Sequence, residues 1–260
     1  MAVELYHFWS SVCSVRARMA LEEKGVAWTS RYIDLFRLDQ LRPEYLAINP
    51  HGVVPTLVHD GVPIRESAII IEYIDDAFPG TPLKPKDPLA LAQMRMFMRE
   101  CEDDFPAVVL STMAKYIVPK LQNRMNRAEI EKAAMLRPTK FYQDVHGRGI
   151  RGEIGDDELK LHFATLDRMV GRMEDMLAGG PWLVGAFSLA DIFVAPYLFR
   201  LLAMGQDAMW SKSRRPLVHD WYARVSARPA FITAVNWPDE TGGGYEEVGL
   251  STQRGQNASA

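Results

Sequence analysis

The chain has 260 residues, of which 48% are hydrophobic and 24% charged, with a formal net charge of −3. That length holds one large domain or two ordinary ones around a sizeable soluble core, and the small negative charge gives no electrostatic case for nucleic acid or an anionic membrane as partner. Two cysteines, Cys13 and Cys101, argue against a disulfide framework and suit a reducing compartment. The opening Met1–Leu5 carries neither the basic segment nor the apolar run of a signal peptide, and nowhere do ~18 apolar residues follow one another, so the expected location is the cytoplasm.

Val3 to Phe8 reads as a strand of a buried sheet, with Val3, Leu5 and Phe8 turned inward. From Ser14 the period changes: Val15 and Met19 lead to Lys24-Gly25, a helix ending at a glycine. Val26 to Leu35, with Trp28, Tyr32 and Ile33, predicts a second strand. Val53 to Val58 predicts a third, and His59-Asp60-Gly61-Val62 supplies an Asp-Gly turn into a returning strand that holds Ile64. Ser67 then opens a helix with Ile70, Tyr73, Ile74 and Phe78 on one face, stopped by Pro79-Gly80. Residues 1–80 therefore read β-α-β followed by β-β-α.

Leu83 to Pro88 reads as a linker, and beyond it the pattern is almost wholly helical. Ala90, Met94, Phe97 and Cys101 recur at helical spacing, as do Leu159, Phe163, Leu166, Met173 and Leu177. Asp156, Asp157 and Glu158 stand where a helix N-terminus favours negative charge. Residues 120–155 between them are polar and glycine-interrupted, as in an insertion, a lid or a mobile segment. Ser188 to Asp191 forms a capping box ahead of an apolar helix, and Trp210 and Trp221 read as core or interface. From Pro238 on, Gly242 to Gly244 and a polar tail predict disorder. The domains expected are 1–80, a linker over 81–88, a helical domain over 89–237 with its insertion at about 120–155, and a flexible tail over 238–260. The six histidines lack metal-ligand spacing and suit solvated or capping roles.

A small β-α-β-β-β-α unit with a proline at its third strand, then a helical domain, resembles the plan of the glutathione transferases. That plan is an α/β thioredoxin-like N-terminal domain followed by an all-α C-terminal domain. Phe8-Trp9-Ser10-Ser11-Val12-Cys13-Ser14-Val15-Arg16-Ala17-Arg18 is similar to the first turn and helix of the zeta-like group. Asn49-Pro50-His51-Gly52-Val53-Val54-Pro55 matches the family's pre-proline segment, and Glu66-Ser67 with Ile69 to Ile74 matches its third-helix motif. The resemblance implies glutathione as co-substrate and a cis Val54–Pro55 bond whose Val54 amide and carbonyl pair with the cysteinyl backbone of glutathione. It further implies Ser67 and the amides at its helix end for the γ-glutamyl carboxylate, Glu66 for the γ-glutamyl ammonium, and a contact from Gln40.

Such enzymes lower the pKa of the glutathione thiol; a shift of ~2 units means favouring the thiolate by ~2.7 kcal/mol. A hydroxyl hydrogen bond and a helix N-terminus are of a size to supply that. Tyr6 lies within the first strand, and the loop after it holds Ser10, Ser11, Cys13 and Ser14. Aligned on Arg16, the resemblance to the zeta-type pattern implies Ser11 or Cys13, and that to the bacterial β-etherases implies Ser14, so Ser14, Ser11 and Cys13 all stay open. A thiol at Cys13 could instead exchange with glutathione disulfide, or be an inert buried group.

For the second substrate, Met94, Met98, Phe105, Met113, Tyr116, Phe141 and Tyr142 offer apolar and aromatic surface, most of it expected to be core. The insertion with Arg137-Pro138, together with Trp182-Leu183-Val184 and Ser188 to Ile192, is similar to the bacterial glutathione-dependent β-etherases of lignin breakdown. That implies thiolate displacement of a phenolate from the carbon next to a ketone. A general transferase, a zeta-like isomerase or thiol transferase, and a non-catalytic subunit of a heterodimer are the other readings. The resemblance also implies a dimer, with an identical chain or a paralogue.

Overall fold

The computed structural model describes residues 2–121 and 126–238. Strand β1 (Val3–His7) leads into helix α1 (Val12–Lys24), then β2 (Thr29–Tyr32), a short helix α2 (Pro43–Leu46), the hairpin β3 (Thr56–His59) and β4 (Val62–Ile64), and α3 (Ser67–Ala77). The sheet order is β2-β1-β3-β4, with β1 parallel to β2 and antiparallel to β3. In the hairpin turn Asp60 and Gly61 both have positive φ, 48° and 82°, which is why the Asp-Gly pair signalled it.

Three elements differ from their expected limits. The third strand starts at Thr56 rather than Val53, after the cis Val54–Pro55 turn. The second strand covers only Thr29–Tyr32, because its partner β1 ends at His7 and the ladder with it. Helix α1 starts earlier, at Val12: the Ser11 hydroxyl accepts from the Ser14 amide at 3.3 Å and caps it. Its other end closes on Gly25 at φ 63°, in the left-handed region that glycine enters freely. Neither a solvated nor a capping role fits His7. Its side chain is wholly buried between Ser30 Oγ at 2.9 Å and Arg18 Nη1 at 3.0 Å, and burial, then the Arg18 charge, push its pKa down to about 2.

The helical part comprises α4 (Pro88–Asp103), α5 (Phe105–Thr112) running through a π-turn (Met113–Ile117) into α6 (Val118–Leu121), and α7 (Arg127–Met135). Next come α8 (Lys140–Tyr142), a second π-turn (Gln143–Gly147), α9 (Arg148–Ile150), α10 (Asp156–Leu177), α11 (Leu189–Ala203), α12 (Pro216–Ser226) and α13 (Pro229–Val235). The described part of the expected insertion is thus helical: an Asn126–Glu129 capping box starts α7. The predicted disordered tail falls outside the described residues, apart from Pro238.

One hydrophobic cluster runs from Val3 and Leu5 through α1, α3, α4, α10 and α11 to Val235, so sheet and helices share a core. Asp191 cross-links it. Its carboxylate accepts from Ser188 N at 2.9 Å, Leu183 N at 3.3 Å and the Trp221 indole at 2.7 Å, while Trp221 and Trp210 are both core. The Leu83–Pro88 connection is tied down, with Asp75 accepting from the Leu83 amide at 2.8 Å.

Candidate active site

A cavity of about 400 Å³ opens where the N-terminal ends of α1 and α3 and the Val53–Pro55 turn face α5, α7 to α9 and α11. Its sheet-side wall includes Ser10, Ser11, Cys13, Val54, Glu66 and Ser67. The Val54–Pro55 bond is cis, and Val54 is largely buried at the cavity's edge. Glu66 sits before α3 with φ 65°, a left-handed backbone unusual for a side chain of its size, and its carboxylate lies 3.5 Å from His51 Nδ1. No side chain caps α3, so its first-turn amides are open to an anion.

The three loop candidates part company here. Ser11 and Cys13 line the cavity, whereas Ser14 does not: its hydroxyl is wholly buried and accepts from the Phe8 amide at 3.3 Å. The reason is helical phase. With α1 starting at Val12, Ser14 lies on the face turned to the end of β1. Gln40 is also fully buried and absent from the cavity wall, and neither atom of its amide has a hydrogen-bond partner among the described residues.

Family models match residues 5–82, as the glutathione S-transferase N-terminal domain, and residues 156–224, as the C-terminal domain. Glutathione S-transferase 1 of Dianthus caryophyllus is 44% identical over 79% of this chain and 80% of its own. The chain belongs to the glutathione S-transferase family. Its co-substrate is therefore glutathione. Two bacterial relatives match more of this transferase. Protein LigF of Sphingobium sp. strain SYK-6 is 29% identical over 88% of this chain and 91% of its own. The crystal structure of the β-etherase LigF superposes with a TM-score of 0.82 over 90% of this chain and 98% of that one. The tetrachloro-p-hydroquinone reductive dehalogenase of Sphingobium chlorophenolicum is 31% identical over 93% and 98%.

Arg16 of this transferase is a site residue to which the sequence motif assigned no role. It is buried with its guanidinium carbon 3.4 Å from the Phe193 ring centre and 4.4 Å from that of Tyr197. Nε donates to the Phe193 carbonyl at 2.7 Å and Nη1 to Ser67 Oγ at 3.0 Å, with Cys13 Sγ at 3.9 Å. No carboxylate pairs with it among the described residues. Burial pushes the Cys13 thiol up; Arg16 and the Ser67 hydroxyl pull the other way and lose. Cys13 is therefore a neutral thiol at neutral pH.

Of the apolar residues expected around the second substrate, Phe105, Met113 and Tyr142 line the cavity, while Met94 and Met98 are core. Tyr116 lies beneath Arg200, and the Phe141 side chain is outside the described set. Arg137, His146 and Arg200 complete the wall. Arg200 had a legible signal, a lone charge inside the apolar run of α11. His146 corrects another expectation, since burial and then the Arg137 charge push it down to about 3 and keep it neutral. Among the described residues no group of three or more His, Cys, Asp or Glu is placed to hold a metal ion, and no helix is long and apolar enough to cross a membrane.

Proposed function

We propose that this transferase cleaves β-aryl ethers of the kind lignin yields, the glutathione thiolate displacing a phenolate from the carbon next to a ketone. The observation that carries this reading is the near-complete superposition on LigF, with a TM-score of 0.82, across the stretch between the two family-model matches as well. That stretch builds the apolar outer wall of the cavity, with Val108, Met113, Ala133, Tyr142 and Ile150. A flat aryl ketone fits such a wall.

In the proposed site Ser11 holds the thiolate. Its oxygen already accepts from the Ser14 amide, which leaves its own proton to donate to sulfur. Arg16 adds a positive charge that no carboxylate pairs with among the described residues, and it orients Ser67. Val54, Pro55, Glu66 and Ser67 bind glutathione, and Gln40 supports the Gly52 turn from behind, its carbonyl 3.2 Å from where a Cβ would stand on Gly52. The thiol gives its proton to solvent; as the C–S bond forms the C–O bond breaks, and the phenolate leaves with its electron pair. The ketone activates the carbon, so the protein's share is orientation and thiolate stabilisation.

A thioredoxin-like unit over 1–80 would supply glutathione binding and a helical unit over 89–237 the ether pocket. The exposed Ile69 and Met96, on helices bridged by Arg95 and Glu72 at 2.6 Å, are a fitting surface for a dimer. A second reading, thiol exchange at Cys13, is favoured by that sulfur lining the cavity and opposed by the burial that keeps it protonated. The test is glutathione-dependent phenol release from an α-aryloxy ketone beside conjugation of a chloronitroaromatic. Phenol release with a thioether left behind supports the ether reading. Conjugation alone reduces it to a general transferase, and silence with both points to a non-catalytic subunit.

A further inference from the structure

We propose that the cavity binds acidic aryl ethers, a carboxylate on the substrate being held by Arg137 and Arg200. This rests on the ether reading for the reaction, though not for the binding site itself.

Arg18 shows what a structural buried arginine looks like in this chain. Arg18 is wholly buried, and Nε, Nη1 and Nη2 all donate: to the Ala234 carbonyl at 3.0 and 2.8 Å, the Phe8 carbonyl at 3.2 Å, the Trp9 carbonyl at 2.7 Å, and His7. Arg200 is also buried, at 4% exposure, yet its Nη2 donates to the Ser10 carbonyl while Nε and Nη1 have no hydrogen-bond partner among the described residues. Its guanidinium carbon lies 4.2 Å from the Tyr116 ring centre. Arg137 is 7% exposed; its Nε has no hydrogen-bond partner, and no carboxylate pairs with its guanidinium among the described residues. Both line the cavity.

A desolvated guanidinium without an anion is costly, and proteins answer that cost with a carboxylate or a ligand. The carboxylates on the same wall are spoken for elsewhere: Glu66 lies by His51, and Glu102 is 3.8 Å from Arg99. Neither bridges to Arg137 or Arg200. The two π-turns that border this part of the cavity pack against each other. Gly149, just past the π-turn that carries His146, sits so close to Met113 that a Cβ would stand 2.7 Å from Met113 Cβ. Met113 in turn begins the π-turn that carries Tyr116 beside Arg200. Burial lowers Arg137 to about 10, which leaves it charged at neutral pH. The planar fork of each arginine matches a carboxylate with two parallel donors.

The experiment pairs an α-aryloxy ketone bearing a carboxylate on its leaving ring with the methyl ester of the same molecule. Each is titrated calorimetrically into the whole protein saturated with S-methylglutathione, which has no thiol and cannot react. The acid is expected to bind at least tenfold more tightly than the ester, with added salt weakening only the acid. Arg137→Gln and Arg200→Gln are each expected to bring the acid-to-ester ratio toward one. Arg200 also holds the Ser10 carbonyl, so its variant loses a structural bond as well; Arg137→Gln breaks no carboxylate pair among the described residues and keeps the test decisive. Equal binding of acid and ester by the wild type, or an acid preference untouched in Arg137→Gln, overturns the proposal. Turnover of the same pair with glutathione separates the two claims. Selective acid binding without thioether formation keeps the anion site and removes the ether reading, whereas cleavage without acid preference does the reverse.

Discussion

Replacing Ser11 by Ala tests the division of labour between two serines three residues apart. The hydroxyl of Ser11 accepts from the Ser14 amide at 3.3 Å and lines the cavity, so its loss has two separable effects. As a helix cap it contributes ~1 kcal/mol to stability. As a donor to a thiolate it contributes ~1.5–3 kcal/mol, the range for a hydrogen bond to a charged group. At ~1.4 kcal/mol per pKa unit the second figure is a rise of ~1–2 units in the titration of bound glutathione. The assay is the ultraviolet absorbance of the thiolate in the binary complex, followed against pH, beside denaturant unfolding. Ser14→Ala is the control. Its hydroxyl is turned to the Phe8 amide, so stability falls by ~1–2 kcal/mol while the thiol titration stays where it was. A titration that moves with Ser14→Ala and not with Ser11→Ala would refute the reasoning.

Burial holds the Cys13 thiol above its ordinary range, so alkylation by iodoacetamide is expected to be slow at neutral pH and to climb only in the alkaline range. Cys101, pushed up to about 12 in the core, stays unlabelled in the native protein, and mass spectrometry of the labelled peptides reads both. Arg16→Gln removes the positive charge beside Ser67 and Cys13; bound glutathione is expected to titrate higher and turnover to fall at least tenfold, while kcat unchanged at saturating glutathione would contradict the role. Asp191→Ala strands the buried Trp221 indole and the amides of Leu183 and Ser188. At ~1–3 kcal/mol for each unsatisfied donor the loss is ~4 kcal/mol in urea unfolding, a large share of a typical ~5–15 kcal/mol; Asp191→Asn, which keeps one acceptor oxygen, loses about half as much.

The elements that were legible in the sequence are those with local signals: the Asp60-Gly61 turn, the Ser188–Asp191 capping box, and the helical spacing of α4 and α10. The Asn126–Glu129 box was equally local, but it lay in a polar stretch read as an insertion, and there composition outweighed the cap. The choice among Ser11, Cys13 and Ser14 was not legible. Three neighbouring side chains on one turn point in different directions, and only the starting residue of α1 decides which meets the cavity. The roles of the buried arginines were harder still. Arg16, Arg18 and Arg200 carry the same charge in helical runs, and what sets Arg18 apart from the other two is how many carbonyls the tertiary fold brings within its reach. Gln40 was marked by its place before the Asn49–Pro55 segment; the fold buries it with its backbone carbonyl against the Gly52 turn and leaves its side-chain amide without a partner among the described residues.

The central claim is tested most directly by incubating the protein with glutathione and an α-aryloxy ketone, then measuring released phenol and the ketone thioether together. The two products are expected in equal amounts, both abolished when glutathione is omitted and both reduced in Ser11→Ala. Conjugation of a chloronitroaromatic by the same preparation, with the aryl ether left intact, would contradict it.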